Sequence, residues 1–128
     1  MNLLLDSHIF LWLMDEPERL PGKVLAMCES AENTLFLSVA SIWELQIKLV
    51  LGKLSMQQPL KAIIDEQQQS NSLEILPIKM THLWGLADLP RVHNDPFDRL
   101  LIAQAIVEDM HLVSADQMFS GYPVKLLW

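Results

Sequence analysis

The chain reads as a single α/β domain over residues 1–128, with a short parallel sheet of about five strands sandwiched between helices. Three observations predict this. Short apolar runs bounded by polar or turn residues alternate with longer stretches whose apolar residues recur at helical spacing. Strands that alternate with helices in this way form parallel sheets covered on both faces. Hydrophobic residues make up 51% of 128 residues, which supports one well-buried core and leaves no room for a second.

Asn2–Leu5 is an apolar run closed by Asp6, the pattern of a buried strand with a polar group at its carboxyl end. Asp6 or Ser7 caps a helix through Ile9, Phe10, Trp12 and Leu13. Pro17 and Pro21-Gly22 punctuate the chain before an amphipathic stretch from Lys23 to Ser30. Leu35–Leu37 is a second strand, and Val39–Leu51 a helix that Gly52 stops. Leu60–Gln69 is a further helix and Leu73–Leu76 a third strand, closed by Pro77. A short helix near Thr81–Leu86 precedes a polar, turn-rich loop over Asp88–Asp98. Arg99–Met110 is apolar on most sides, as a helix buried in a core or at a subunit interface would be. Leu112–Val113 and Val124–Leu126 supply the fourth and fifth strands. No repeats, low-complexity tracts or linkers interrupt the series.

Several function classes drop out. No apolar run reaches the ~18–20 residues of a membrane-spanning helix. The first apolar run is broken at once by Asp6 and His8, unlike a signal peptide, so a cytoplasmic location is expected. The one cysteine, Cys28, has no partner for an internal disulfide and sits among apolar neighbours as a small buried side chain. Net charge is −7, which runs against direct binding to phosphate. Cations held in an acidic site, or a basic partner covering it, would reconcile that charge with a nucleic-acid substrate.

In open parallel sheets, ligands bind outside the carboxyl ends of the strands. Asp6 ends the first strand, Asp116 follows the fourth, Glu44 lies in the helix after the second, and Asp98 opens the long apolar helix. Clustered carboxylates repel one another unless a cation neutralises them, and oxygen-only donors suit Mg²⁺ or Mn²⁺. Metal-assisted hydrolysis is the chemistry such a cluster would serve. Each acid also has a plainer reading. Asp6 and Asp116 suit helix caps. Glu44 fits a capping box with Ser41, or an ion pair with Lys48. Asp95 as N-cap with Pro96 at the first helical position leaves Asp98 less well explained by capping.

Leu4-Leu-Asp-Ser-His-Ile-Phe-Leu-Trp12, Ser38-Val-Ala-Ser-Ile-Trp-Glu-Leu-Gln-Ile-Lys48 with Gly52-Lys53-Leu54, Leu89-Pro-Arg-Val-His93 leading into Asp95-Pro-Phe-Asp-Arg-Leu-Leu-Ile-Ala-Gln-Ala105, and Leu112-Val-Ser-Ala-Asp116 come in that order. Together they resemble the PIN-domain nucleases, and within them the VapC-like toxins. The resemblance implies a PIN-like fold over 1–128, with Asp6, Glu44, Asp98 and Asp116 as catalytic acids holding Mg²⁺ or Mn²⁺. Ser7 and Ser114 stand where such proteins often carry threonine and keep the hydroxyl for a ligand or water. His93, Arg99 and Lys48 are candidates to touch phosphate, each with a loop hydrogen bond or ion pair as the alternative. His8, Trp12 and Trp43 are expected to pack. The family further implies an endoribonuclease toxin that cuts RNA with metal-activated water, leaving a 5′-phosphate and a 3′-hydroxyl. It implies a homodimer and a cognate antitoxin over the acidic site. Helices at Val24–Ala31 and Val39–Leu51 offer apolar surfaces for such contacts.

Four other readings compete. A receiver-type phosphoacceptor would place its aspartate after the third strand, where Leu76-Pro77 stands. An aspartyl phosphatase would need a second aspartate where His8 stands. A catalytically idle PIN scaffold, binding RNA or protein, would be marked by loss of an acid, and all four are present. A deoxyribonuclease would use the same acids, since the 2′-hydroxyl contact is not written in sequence.

Overall fold

In the computed structural model, which describes residues 1–128, the central strand is Asn2–Leu5 (β1). Thr34–Ser38 (β2) and His111–Val113 (β4) flank it; Glu74–Leu76 (β3) lies outside β2 and Leu126–Leu127 (β5) outside β4. All neighbours run parallel, with Leu5 opposite Leu37 on one side and Val113 on the other. The helices are Ser7–Asp15 (α1), Gly22–Glu29 (α2), Val39–Val50 (α3), Leu60–Ser70 (α4), Met80–Leu86 (α5) and Pro96–Val107 (α6). Single 3₁₀ turns occupy Pro17–Arg19 and Gln117–Gly121.

The pleat of β1 explains the layers. Leu3 and Leu5 join one apolar cluster with Ile9 and Phe10 of α1, Val24 and Cys28 of α2, Leu45 of α3, and Leu60 and Ile64 of α4. Leu4 points the other way, into a cluster with Leu101, Ile102, Ala103 and Ala105 of α6, plus Leu112 and Phe119. Successive side chains of a strand face opposite sides, so a strand buried on both must be apolar throughout. All three leucines are 0–1% exposed. Five consecutive residues of α6, Leu101–Ala105, are buried, as its apolar composition requires.

Some boundaries differ from the reading of the sequence. Helix α6 starts at Pro96, capped by the Asp95 side chain, and ends at Val107. The chain then turns through Asp109 at φ 55, which leaves Met110 buried but outside the helix. The last strand is Leu126–Leu127 instead of Val124–Leu126. Gly52 does terminate α3, at φ +73, a backbone conformation glycine adopts without strain. The 3₁₀ turn at Pro17–Arg19 was not anticipated. Apolar residues of α2 turn inward at Val24 and Cys28, whereas Trp43 and Val50 of α3 and Leu51 just beyond it are exposed. No helix is long and apolar enough to cross a membrane.

Buried polar side chains all find partners. Ser38, at the start of α3, accepts from the Ala40 N–H and donates to Gln104 of α6. Gln104 in turn donates to the Pro77 carbonyl and lies 3.3 Å from His82, whose Nε2 sits 2.8 Å from Glu108. This network joins α3, α5 and α6. Because Ile102 is fully buried where α6 meets the sheet, Ile102→Ala should destabilise the fold by about 2–5 kcal/mol and Ile102→Val by about 0.5–1.5 kcal/mol. Urea denaturation of both variants measures this, and equal small losses would mean that α6 is not anchored there.

Candidate active site

The strand order reverses direction at β1: chain order runs outward through β2 and β3, then returns to β4 and β5 on the other side. Such a switch point leaves a crevice at the carboxyl ends of the strands. A cleft of about 410 Å³ opens there, lined among others by Asp6, Ser7, Glu44, Lys48, Asp98 and Asp116. Four acids that lie far apart in sequence therefore face one space.

Two serines hold three of them. Asp6, only 7% exposed, follows β1 and caps α1, its Oδ1 accepting from the Ser7 N–H at 2.7 Å. The Ser7 hydroxyl donates to Glu44 Oε1 at 2.8 Å. On the other side, the Ser114 hydroxyl donates to Asp6 Oδ2 at 2.8 Å and accepts from the Asp116 N–H at 3.1 Å. Asp116 caps the 3₁₀ turn through Oδ1, which leaves Oδ2 without a protein donor. Glu44 is not part of a capping box, because Ser38 is the residue that caps α3 and Ser41 lies buried within the helix. Its second oxygen faces Lys48 Nζ at 3.9 Å, the ion pair expected from their spacing.

Asp98 is held differently. Its Oδ2 lies 3.1 Å from His93 Nε2, and its Oδ1 has no protein donor. Asp95, read from the sequence as a cap only, does cap α6, accepting from the Phe97 and Asp98 N–H groups through Oδ1. It also lines the cleft, and one oxygen from each of Glu44, Asp95 and Asp98 lies within 4.8 Å of the others. Its capping role explained it fully in sequence, so nothing local marked the second one.

Electrostatics set these acids apart. Burial pushes the Asp6 carboxyl up from its ordinary value, against hydrogen bonds that pull it down. Asp98 is pushed up to about 6, first by burial and then by the charges of Asp95, Asp6 and Glu44, with the His93 hydrogen bond opposing. An oxygen-only donor set whose members repel one another fits a hard divalent cation. Glu44, Asp95 and Asp98, whose oxygens gather within 4.8 Å, could hold one, with Asp6 and Asp116 lining the same cleft.

Other candidates lie elsewhere. Arg99 donates to the Pro90 carbonyl at 2.9 Å and to the Tyr122 hydroxyl at 3.1 Å, outside the acid cleft. His93 reaches the cleft only through Asp98. Lys48 lines it directly. Expectations of packing fail for two aromatic residues. Trp43 is 58% exposed, edge-on to Phe97 at 5.1 Å, and His8 is exposed at the cleft wall. Trp12 is half-buried beneath Arg19, whose guanidinium carbon lies 4.6 Å from the ring centroid.

A parallel α/β sheet with a carboxylate-lined cleft at its switch point defines the class of protein. The PIN domain model matches residues 3–125, and the chain belongs to the PIN-domain family. It is 28% identical over 122 residues to Ribonuclease VapC22 of Mycobacterium tuberculosis, covering 94% of this chain and 92% of that protein. Its fold resembles a chain in the crystal structure of VapBC2 from Rickettsia felis bound to a promoter DNA fragment. There the TM-score is 0.74 at 20% identity, over 99% of this chain and 98% of that one. A toxin–antitoxin complex from Klebsiella pneumoniae contains a second such fold, with a TM-score of 0.62 at 16% identity over 98% and 96% of the two chains.

The raised Asp98 carboxyl has a consequence for stability. A folded-state value near 6 against 3.8 unfolded means that the folded protein binds this proton more tightly. Stability in the absence of metal therefore falls as pH rises from about 4 through about 6, and the penalty is complete above that. Asp98→Asn should stabilise metal-free protein at pH 7.5 by on the order of 1 kcal/mol, discounted for the water that reaches the cleft, and by almost nothing at pH 4. Paired urea titrations at the two pH values test this. A difference that does not grow with pH would show that burial does not penalise the carboxylate.

Proposed function

We propose that the chain is a metal-dependent endoribonuclease of the VapC type, the toxin of a toxin–antitoxin pair. The observation that carries this reading is the convergence of Asp6, Glu44, Asp98 and Asp116 on one cleft at the switch point of a PIN fold. Support for RNA as substrate comes from the ribonuclease relative, which matches almost end to end.

Asp6, Glu44, Asp98 and Asp116, with Asp95 beside them, would hold Mg²⁺ or Mn²⁺. When bound, such a cation acidifies water and withdraws charge from a phosphodiester. The chain's own residues set the geometry. Ser7 and Ser114 fix the rotamers of Asp6 and Glu44 and the backbone at Asp116, so little reorganisation is needed when substrate arrives. Lys48, beside Glu44, presents a positive charge to the cleft and suits a phosphate oxygen. Attack by water on phosphorus would leave a 5′-phosphate and a 3′-hydroxyl.

The partner assignments belong to the same proposal. A basic antitoxin segment over the cleft would complement a chain of net charge −7, and the structural neighbours include toxin–antitoxin complexes. The exposed Trp43 and Val50 of α3, with Leu51 just beyond it, suit a homodimer contact. A reducing cytoplasm suits the single buried thiol of Cys28, pushed up to about 11 by burial and so poorly reactive.

Cleavage of total cellular RNA with Mn²⁺, with Mg²⁺ and with chelator tests the nuclease. Asp6→Asn and Asp98→Asn should each lower the metal-dependent rate by at least about 100-fold, a loss of several kcal/mol in the transition state. Cutting that survives both substitutions would sink the site. Binding of RNA without cutting by any version would favour an idle scaffold.

A further inference from the structure

His93 is the only side chain that hydrogen-bonds the Asp98 carboxylate, and its own orientation is fixed from behind. Tyr122 is 5% exposed, and its hydroxyl oxygen receives two donors: the His93 N–H at 3.2 Å and the Arg99 guanidinium at 3.1 Å. A hydroxyl oxygen has two lone pairs, so both are used. The third close contact, His93 Nδ1 at 2.6 Å, must then accept the hydroxyl proton. The other acceptor within reach, the His93 carbonyl, is farther at 3.4 Å. With Nδ1 acting as acceptor, the ring proton sits on Nε2 and points at Asp98 Oδ2.

We infer that Tyr122 and Arg99 are positioning residues for Asp98: through a one-way chain of donors, Arg99 to Tyr122 to His93 to Asp98, they fix the His93 tautomer and leave Asp98 Oδ1 as the oxygen turned to a cation. This rests on the metal-nuclease reading above. Arg99 also anchors the loop, donating to the Pro90 carbonyl, so the backbone bearing His93 is tied to the helix bearing Asp98. Outer partners of this kind fix ligand geometry, and their loss lowers metal affinity by about 10–100-fold. Sequence alone left His93 and Arg99 open between touching phosphate and making a loop hydrogen bond or an ion pair; the donor chain gives both a positioning task and joins Tyr122 to them.

Nitrogen-15 NMR of the metal-free protein reads the tautomer directly. His93 should appear as the single Nε2–H form, and as a mixture of tautomers in Tyr122→Phe. Calorimetric titration with Mn²⁺ alone supplies the second readout. Tyr122→Phe should weaken Mn²⁺ binding by about 10-fold, while the same substitution on a His93→Gln background should cost less than about twofold, because glutamine has no tautomer to fix. Equal losses on both backgrounds would reduce Tyr122 to a packing residue and overturn the inference, as would an Nδ1–H form in the unaltered protein. Failure of the unaltered protein to bind Mn²⁺ would overturn the metal reading and with it the role toward Asp98. The NMR result would still decide whether the donor chain exists. Thermal melts confirm that each variant is folded.

Discussion

Asp6 carries a negative charge at the end of the most deeply buried strand, where little water reaches it. Keeping a carboxylate there demands donors, and the site's other connections grow from the two that meet the demand. The Ser7 N–H and the Ser114 hydroxyl each take one oxygen of Asp6. Neither serine stops there. The Ser7 hydroxyl donates to Glu44, and the Ser114 hydroxyl accepts from the Asp116 N–H. What compensates one buried charge thereby orders two further segments, one following β2 and one following β4. A cluster of acids left unfixed would splay toward solvent to reduce its repulsion.

The scaffold beneath has a matching task. Glu44 and Asp98 sit on different helices, α3 and α6, so their spacing depends on how those helices pack. Ser38 both caps α3 and hydrogen-bonds Gln104 in the buried middle of α6. That contact sets the helices in register one or two turns below the acids. Leu101, Ile102, Ala103 and Ala105 bury the rest of α6 against the sheet and contribute stability that offsets the crowding of charge. Apolar burial and the acid cluster are thus two halves of one arrangement: the first holds in place a site the second would disperse.

The layout of strands and helices was readable from the sequence because β1, α3 and α6 each carry a strong local pattern: three leucines in a row, helical periodicity and a near-continuous apolar stretch. The four acids could be gathered because polar residues just past strand ends converge in a parallel sheet. The connections between them could not. Ser114 meets Asp6 across 108 positions and Ser7 meets Glu44 across 37, distances that no local spacing encodes. Asp95 was hidden by a complete local explanation as a cap. Arg99, beside Asp98 in sequence, read as either a phosphate contact or an ion pair, yet adjacent helical residues point about 100° apart, which turns it toward Tyr122. Trp43 reads as core by residue type and is exposed, since its neighbour Glu44 takes the face that looks into the cleft.

The net charge of −7 is a difficulty for any protein meant to hold a polyanion, and the cleft concentrates it. Lys48 is the one lysine or arginine lining the cleft, and it stands beside Glu44. Without a cation the cleft repels phosphate at the distances where binding begins. Were the carboxylates neutralised by a cation, Lys48 would lose the charge that holds it at 3.9 Å from Glu44 and would be free to meet a phosphate. The same acidity that makes the metal-free cleft a poor phosphate site makes it a good one for a basic peptide. A cation and a basic partner would then compete for one set of carboxylates, the cation admitting a phosphate and the partner excluding it.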